Sequence, residues 1–217
     1  GYGLFNAAIA EKMLRNQAEH YEKHHSLGID DAVFAEAIKL AKRFIKDRKL
    51  PDSAIDLLDR TLAVSRMMTD TASQDVEKFT AKLSEIKADA TDEEFRWLYH
   101  EAQTGFSPVL LARHNEEKEF NKIIDQAEMR GYLTTMFESL TVIASTEKKQ
   151  IDTTDLSAVV ANITGIPLGK IQTKEQQRLV TMEDHLRQRV IGQDHALKTV
   201  SDAILESRSG LNKAGQP

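Results

Sequence analysis

His20 and His24 stand four residues apart in the run "HYEKHH", a spacing that puts two imidazoles on one helical face, where they can share a metal ion. Tyr21, Glu22 and Lys23 fill the gap, so the zinc-protease pattern is absent, and no third ligand accompanies the pair. A solvated histidine face is the simpler reading. Asp52, Asp56 and Asp59 form a second acidic set. They suit the polar side of a helix start, where carboxylates complement the helix dipole. The sequence holds no Ser–His–Asp order, no GxxxxGK[ST] loop and no GxGxxG, so by motif it is not a self-sufficient enzyme. Cysteine is absent. That removes disulfides, thiol nucleophiles and thiolate metal sites, and it is compatible with a reducing, cytoplasmic setting. Trp97, the single tryptophan, is the remaining candidate. In "DEEFRWLYHEAQTGF" the buried stripe should be Phe95, Leu98, Tyr99 and Ala102, which leaves Trp97 to one side. A wetted Trp is a candidate interface anchor; packing beneath a neighbouring loop is the alternative.

The elements that must position these residues are helical. The 217 residues are 29% charged and 41% apolar, with 10 Gly and 4 Pro, a balance typical of a helix-rich globular chain. A net charge of −5 argues against general nucleic-acid binding. No apolar run approaches the roughly 18 residues needed to span a bilayer, and no signal peptide opens the sequence.

Periodicity predicts a helix over 6–25, with Ile9, Met13, Leu14, Ala18 and Tyr21 on its apolar side and Gly28 beyond its end. Ile29 is a lone apolar residue in an extended position. The next helix carries Val33, Phe34, Ala37, Ile38, Ala41 and Ile45, with basic residues crowding its C-terminus. Pro51 fits the first turn of another helix, where its missing N–H costs nothing, and Ile55, Leu58, Leu62 and Ser65 continue a stripe. Val76, Phe79, Leu83, Ile86 and Ala90 then follow at intervals of 3, 4, 3 and 4, a heptad seam. Its expected partner is a return helix bearing Phe120, Ile123 and Ala127, followed by Met136, Phe137 and Leu140. The two make an antiparallel helical hairpin, as a coiled coil or as members of an ordinary bundle.

From Ile151 the first pattern returns. A lone Ile precedes Thr153 or Thr154 as an N-cap, then Leu156, Val159, Val160 and Ile163 form a helix face that Gly165 stops. "GIPLGKI" is a linker by composition. Thr173 and Gln176 make a capping-box signature for a helix carrying Leu179, Met182 and Leu186. The segments of Ile29 and Ile151 should pair as two very short strands that close a small helical unit around the hairpin.

The motifs carry a resemblance. "HYEKHHSLGIDDAVFAEAIKLAKRFIKDRKLPDSAIDLLDR" resembles the small α-helical lid of the first ATPase module in Clp-type AAA+ unfoldases of the heat-shock-100 class. "VVANITGIPLGKI" resembles the passage out of that lid, with Asn162–Ile163 where the family usually has an aromatic residue. "MEDHLRQRVIGQDHAL" resembles the opening of the second ATPase module. The three occur in family order over roughly 20–68 and 151–211. The hairpin shares only the family's position and coiled-coil habit.

The resemblance implies a mainly α fold: a small helical lid with a minimal β pairing and an inserted, coiled-coil-like middle domain. It divides the chain into the first part of the lid (1–68), the middle hairpin (69–150), the return to the lid (151–166), a linker helix (167–189) and the start of the second module (190–217). It implies a fragment of an ATP-dependent chaperone whose homohexameric ring threads unfolded or aggregated polypeptides. ATP and Mg would serve the full-length protein, and no cofactor is expected on this piece. Pro51, Asp52 and Ile55, with Leu50, would lie where the lid closes on the first module's nucleotide. Val190 and Ile191 would flank the adenine of the second, or form a buried turn with no ligand. Trp97 would meet a co-chaperone, adaptor, protease or sheath protein; neither nucleic acid nor membrane is expected as a partner. Two rival readings stay open: a relative specialised for disassembling a secretion-system sheath, and a stand-alone helical adaptor.

Overall fold

The computed structural model describes residues 2–87, 89–114 and 119–172. It falls into two compact units, Gly1–Thr164 and Gly165–Pro217. The second is described only over 165–172, where a short helical turn follows Pro167 and Lys170 N–H donates to the Pro167 carbonyl at 2.9 Å. The expected helix with Leu179, Met182 and Leu186 lies outside the described residues.

The first unit is helical apart from one minimal sheet. Helix α1 (Tyr2–His25) ends with Lys23, His24 and His25 in its last turn, where basic groups favour the dipole. Ser26, at φ 53°, takes the left-handed position that closes the helix, and Leu27 N–H donates back to Glu22 O at 3.3 Å. The stop is therefore at Ser26, earlier than Gly28, which belongs to strand β1 (Gly28–Ile29). Among the described side chains of α1, Ala10 and Leu14 are the buried ones. Ile9 and Met13, expected on the apolar side, are 45% and 43% exposed.

β1 pairs in parallel with β2 (Gln150–Ile151), Gly28 opposite Gln150 and Ile29 opposite Ile151, as the two lone isoleucines predict. Gly28 N–H donates to Lys149 O at 2.9 Å and Asp30 N–H to Ile151 O at 3.1 Å. Asp30 then caps α2 (Asp31–Phe44) by accepting from Ala32 N–H. Val33, Phe34, Ala37, Ile38 and Ala41 are buried, while Ile45 has left the helix as its C-cap.

Helix α3 (Asp52–Glu85) is one unbroken element of 34 residues. Its first half buries Leu57, Leu58 and Leu62 against α1, α2 and α7 (Thr153–Thr164). Its second half buries Ala72, Val76, Phe79 and Leu83 and packs on α6 (Gln126–Ser145). Arg130, near the start of α6, donates to the Leu83 and Ile86 carbonyls at the end of α3, so the two run antiparallel. Between them lie α4 (Asp92–Gly105) and the short α5 (Pro108–Leu111).

The hairpin partner differs from the expected one in detail. Phe120 and Ile123 are buried, but Phe120 opens and Ile123 caps a 3-10 turn (Phe120–Lys122), because Asp125 caps a new helix by accepting from Glu128 N–H at 2.9 Å. Ala127 is exposed, and the seam of α6 is Met129, Leu133, Met136, Phe137 and Leu140. On α3 the seam ends at Leu83, since Ile86 is the helix C-cap and Ala90 lies in a turn. Phe79, Phe106 and Phe137 form the hub of the arm, with ring centroids 4.7 to 6.2 Å apart. Gly105 is required beside it: a Cβ there would lie 2.7 Å from Phe79 Cζ.

β2 leads into α7, whose N-cap is Asp152 instead of Thr153 or Thr154. Asp152 Oδ1 accepts from Thr154 N–H at 2.9 Å and Asp155 N–H at 3.2 Å. Leu156, Val159 and Val160 are buried as expected, and Ile163 is exposed. Gly165, at φ 69°, ends the helix. Among the described residues no helix is long and apolar enough to cross a membrane.

Candidate functional site

Three places in the first unit gather functional side chains. The first is the corner where α3 begins. Pro51, at the N-cap position, accepts from Ala54 N–H at 2.9 Å and Ile55 N–H at 3.1 Å, which fixes the opening turn. Pro51 and Ile55 are half-buried and Asp52 is exposed at the dipole-positive end. One turn on, Asp56 pairs with Arg48, and Asp59 Oδ1 lies 2.8 Å from His25 Nε2. The three aspartates are thus no converging carboxylate cluster, since Asp56 is paired with Arg48 and Asp59 is engaged by the His25 ring. Tyr21 sits over the same patch. Burial pushes its phenol above the ordinary value, and the nearby charges of Asp59 and Asp56 push the same way. His20 and His24 are exposed, and no metal-holding group of His, Asp or Glu occurs among the described residues. Val190 and Ile191 lie outside the described residues.

The second place is on the arm. The capping box of α4, with Thr91 N–H donating to Glu94 Oε2 at 2.8 Å, starts the helix so that Phe95, Leu98 and Ala102 face inward. Trp97 then points away from that stripe and is 65% exposed. The side chain therefore stands off the stripe, as its position in the sequence predicts. Trp97 lines an open groove of about 590 Å³ between α4 and the end of α3, together with Lys82, Glu85, Glu93, Glu94 and Glu101. Lys82 Nζ bridges the helices to Glu101 Oε2 at 2.9 Å.

The third place was not anticipated. Asp155, in the first turn of α7, is fully buried and accepts from three groups: Arg113 Nη2 at 2.9 Å, Lys148 Nζ at 2.7 Å and Asp152 N–H at 2.9 Å. Arg113 also donates to Asp152 Oδ2 at 2.7 Å. Two acids and two bases thus close a compact charge cluster. It ties the segment after α5 and the segment before β2 to the start of α7. Burial works against the charge on Asp152, but the bonds and charge of Arg113, helped by Lys148, outweigh it and hold that carboxyl below its usual range. Burial likewise opposes the Arg113 charge and is outweighed by Asp155 and Asp152, which raise it. The local signal was Asp152 and Asp155 three apart before an apolar run; their cationic partner Arg113, 39 and 42 residues away by chain, carried none.

Comparison with known proteins points to an AAA lid domain. The family model of the AAA lid domain matches residues 6–103. The chaperone protein ClpB of Bacteroides thetaiotaomicron is 30% identical, over 94% of this chain and 29% of that protein. The ATP-dependent Clp protease ATP-binding subunit ClpC of Staphylococcus aureus is 29% identical, over 94% of this chain and 23% of that protein. The solved Hsp104–ADP complex of S. cerevisiae is matched over 95% of this chain and 37% of that one, at 25% identity and a TM-score of 0.40, too loose a superposition to transfer geometry. The chain spans under a third of the length of these curated relatives. The lid motifs in order, the family-model match over 6–103 and relatives matched over 94% of the chain support a Clp-type AAA+ segment of the heat-shock-100 class that contains an AAA lid domain.

Proposed function

We propose that the chain serves as the lid and regulatory arm of an ATP-driven unfoldase that draws polypeptides through a homohexameric ring. Residues 1–68 and 151–166 would be the lid, 69–150 the inserted arm, 167–189 the linker helix and 190–217 the threshold of a second ATPase module. The relatives named as a chaperone and as the ATP-binding subunit of a protease support this reading. ATP with Mg would be held by the whole protein. Pro51, Asp52 and Ile55 would approach the nucleotide of the first module, and Val190 and Ile191 the adenine of the second. Apolar faces and backbone hydrogen bonds are what adenine needs, and the run "RVIG" offers both.

The observation that carries the reading is the continuity of α3. Its first turn is the Pro51–Ile55 corner, and its last turns wall the groove beside Trp97. A reorientation at the corner reaches the arm with no loop in between. Trp97 is the proposed contact for a co-chaperone, adaptor, protease or sheath protein.

The test uses the full-length ring. Trp97→Ala should keep the circular dichroism of the arm and lose the partner-dependent change in ATPase rate. An arm that melts with Trp97→Ala, or regulated rates that stay unchanged, overturns the contact role. The 217-residue chain alone, whose sequence has no phosphate loop, should release no phosphate from ATP above buffer. Protein-dependent release from a clean preparation would refute the fragment assignment.

A further inference from the structure

The groove at Trp97 has a charge pattern that selects what enters it. Glu93, Trp97 and Glu101 succeed one another at intervals of four on α4, so carboxylate, indole and carboxylate stack along one helical face. Glu94 joins them from the first turn, and Glu85, the last residue of α3, stands on the opposite wall. Four glutamates thus surround the ring against one lysine, Lys82, whose charge is already met by Glu101 at 2.9 Å. Glu85 and Glu93 have no ion-pair or hydrogen-bond partner among the described residues. The indole is 65% exposed, with the His100 ring 6.2 Å away as its one ring neighbour among the described residues.

A metal ion does not fit this pattern, because no three acids converge on a point among the described residues. An acidic macromolecule is repelled by it. A flat, extended cation fits on both counts. Guanidinium stacks on an aromatic face, is weakly hydrated, and presents donors in the plane of the stack toward carboxylates at its rim. Ammonium is a compact, strongly hydrated point charge and uses the indole face less well.

We propose that the arm groove docks an arginine of a basic partner segment, with the guanidinium stacked on Trp97 and bonded to Glu85 and Glu93. The inference rests on reading Trp97 as the arm's contact residue, and it adds the chemistry of what is contacted.

Trp97 is the only tryptophan in the sequence, so its intrinsic fluorescence reports on the groove directly. The 217-residue chain is titrated with a Gly/Ser peptide bearing two arginines, and with the same peptide carrying citrulline, lysine or leucine at those positions. The arginine peptide should give a saturable change that weakens as NaCl is raised from 50 to 500 mM, to about the degree that exposed charge pairs are screened. Glu85→Gln/Glu93→Gln, with unchanged circular dichroism, should weaken its binding about fivefold, the range of two exposed ion pairs. The lysine peptide should bind less tightly and the citrulline peptide not at all. A citrulline peptide that binds as well as arginine, or no saturable response to arginine, overturns the proposal. A response to leucine alone overturns it while leaving Trp97 a contact residue. Failure of every peptide, alongside loss of regulation by Trp97→Ala in the ring, sinks the arginine assignment and spares the wider function.

Discussion

Replacing Asp155 by Asn tests whether the charge cluster at the head of α7 holds the arm's second attachment. The carboxylate is fully buried and receives Lys148 at 2.7 Å, Arg113 at 2.9 Å and the Asp152 amide at 2.9 Å. The amide keeps the shape and removes the charge. Lys148, whose side chain is 10% exposed, is then left with no anion at that distance, and Arg113 keeps only Asp152. The three lost or weakened bonds are coupled, so their deletion costs do not add; the better guide is the cost of breaking a buried pair, about 3–5 kcal/mol. Lys148→Met should cost less, about 1.5–3 kcal/mol, because Asp155 retains Arg113 and a hydrogen bond to a charged group is worth about that much. The double variant should be milder than the sum, since each change removes the other's unpaired charge. Urea unfolding followed by circular dichroism gives all three values. Asp31→Asn is the control: its ion pair with Arg15 is on the surface and should leave the midpoint in place. A loss below about 1 kcal/mol for Asp155→Asn, the range of a surface pair, would refute the view that this cluster is buried and coupled.

Other outcomes follow from the same geometry. Asp152 is held below its ordinary value near 3.8, so its contribution is present above that pH and is lost as pH falls through the lower folded value; Arg113→Ala should flatten that acid limb in pH-dependent unfolding curves. Gly105→Ala should destabilise the arm by about 1–3 kcal/mol through overpacking, because its Cβ would meet the Phe79 ring at 2.7 Å, and hydrogen exchange should quicken around the phenylalanine hub. Arg130→Ala should uncover the last carbonyls of α3, so that amide exchange rises at the end of α3 while the lid end keeps its protection.

The sequence disclosed the frame of the fold because its strongest signals are local. A lone isoleucine before a capped helix, once at Ile29 and again at Ile151, marked two strand ends that meet in register. The stripe of α4 was legible for the same reason, and with it the outward position of Trp97. The 3-10 turn was misread because Phe120 and Ile123 have helical spacing. The Asp125 cap on the Glu128 amide restarts the helix and overrides that spacing. On α1 the apolar residues occupy two faces, and only tertiary packing decides that Ala10 and Leu14 go inward while Ile9 and Met13 stay wet. The charge cluster lies furthest from reach, since Arg113, Lys148 and the α7 head meet only after the arm has folded. At the candidate sites, residue types were legible, but the pairing of Asp56 and Asp59 with Arg48 and His25 was not.

Because α3 is one unbroken helix, the residues that its two halves bury are locked in rotational phase. Each residue advances a helix by about 1.5 Å and turns it by about 100°, so one residue inserted near Thr69 would swing the Trp97 face a quarter turn or more around the axis. It would also pull the return segment off the Arg113–Asp155 tie. Seven inserted residues would restore the facing to within about 20° and lengthen the arm by roughly 10 Å. Insertions that keep the facing are those that close near whole turns, such as seven, eleven or eighteen residues, while intermediate lengths turn Trp97 away from its present side.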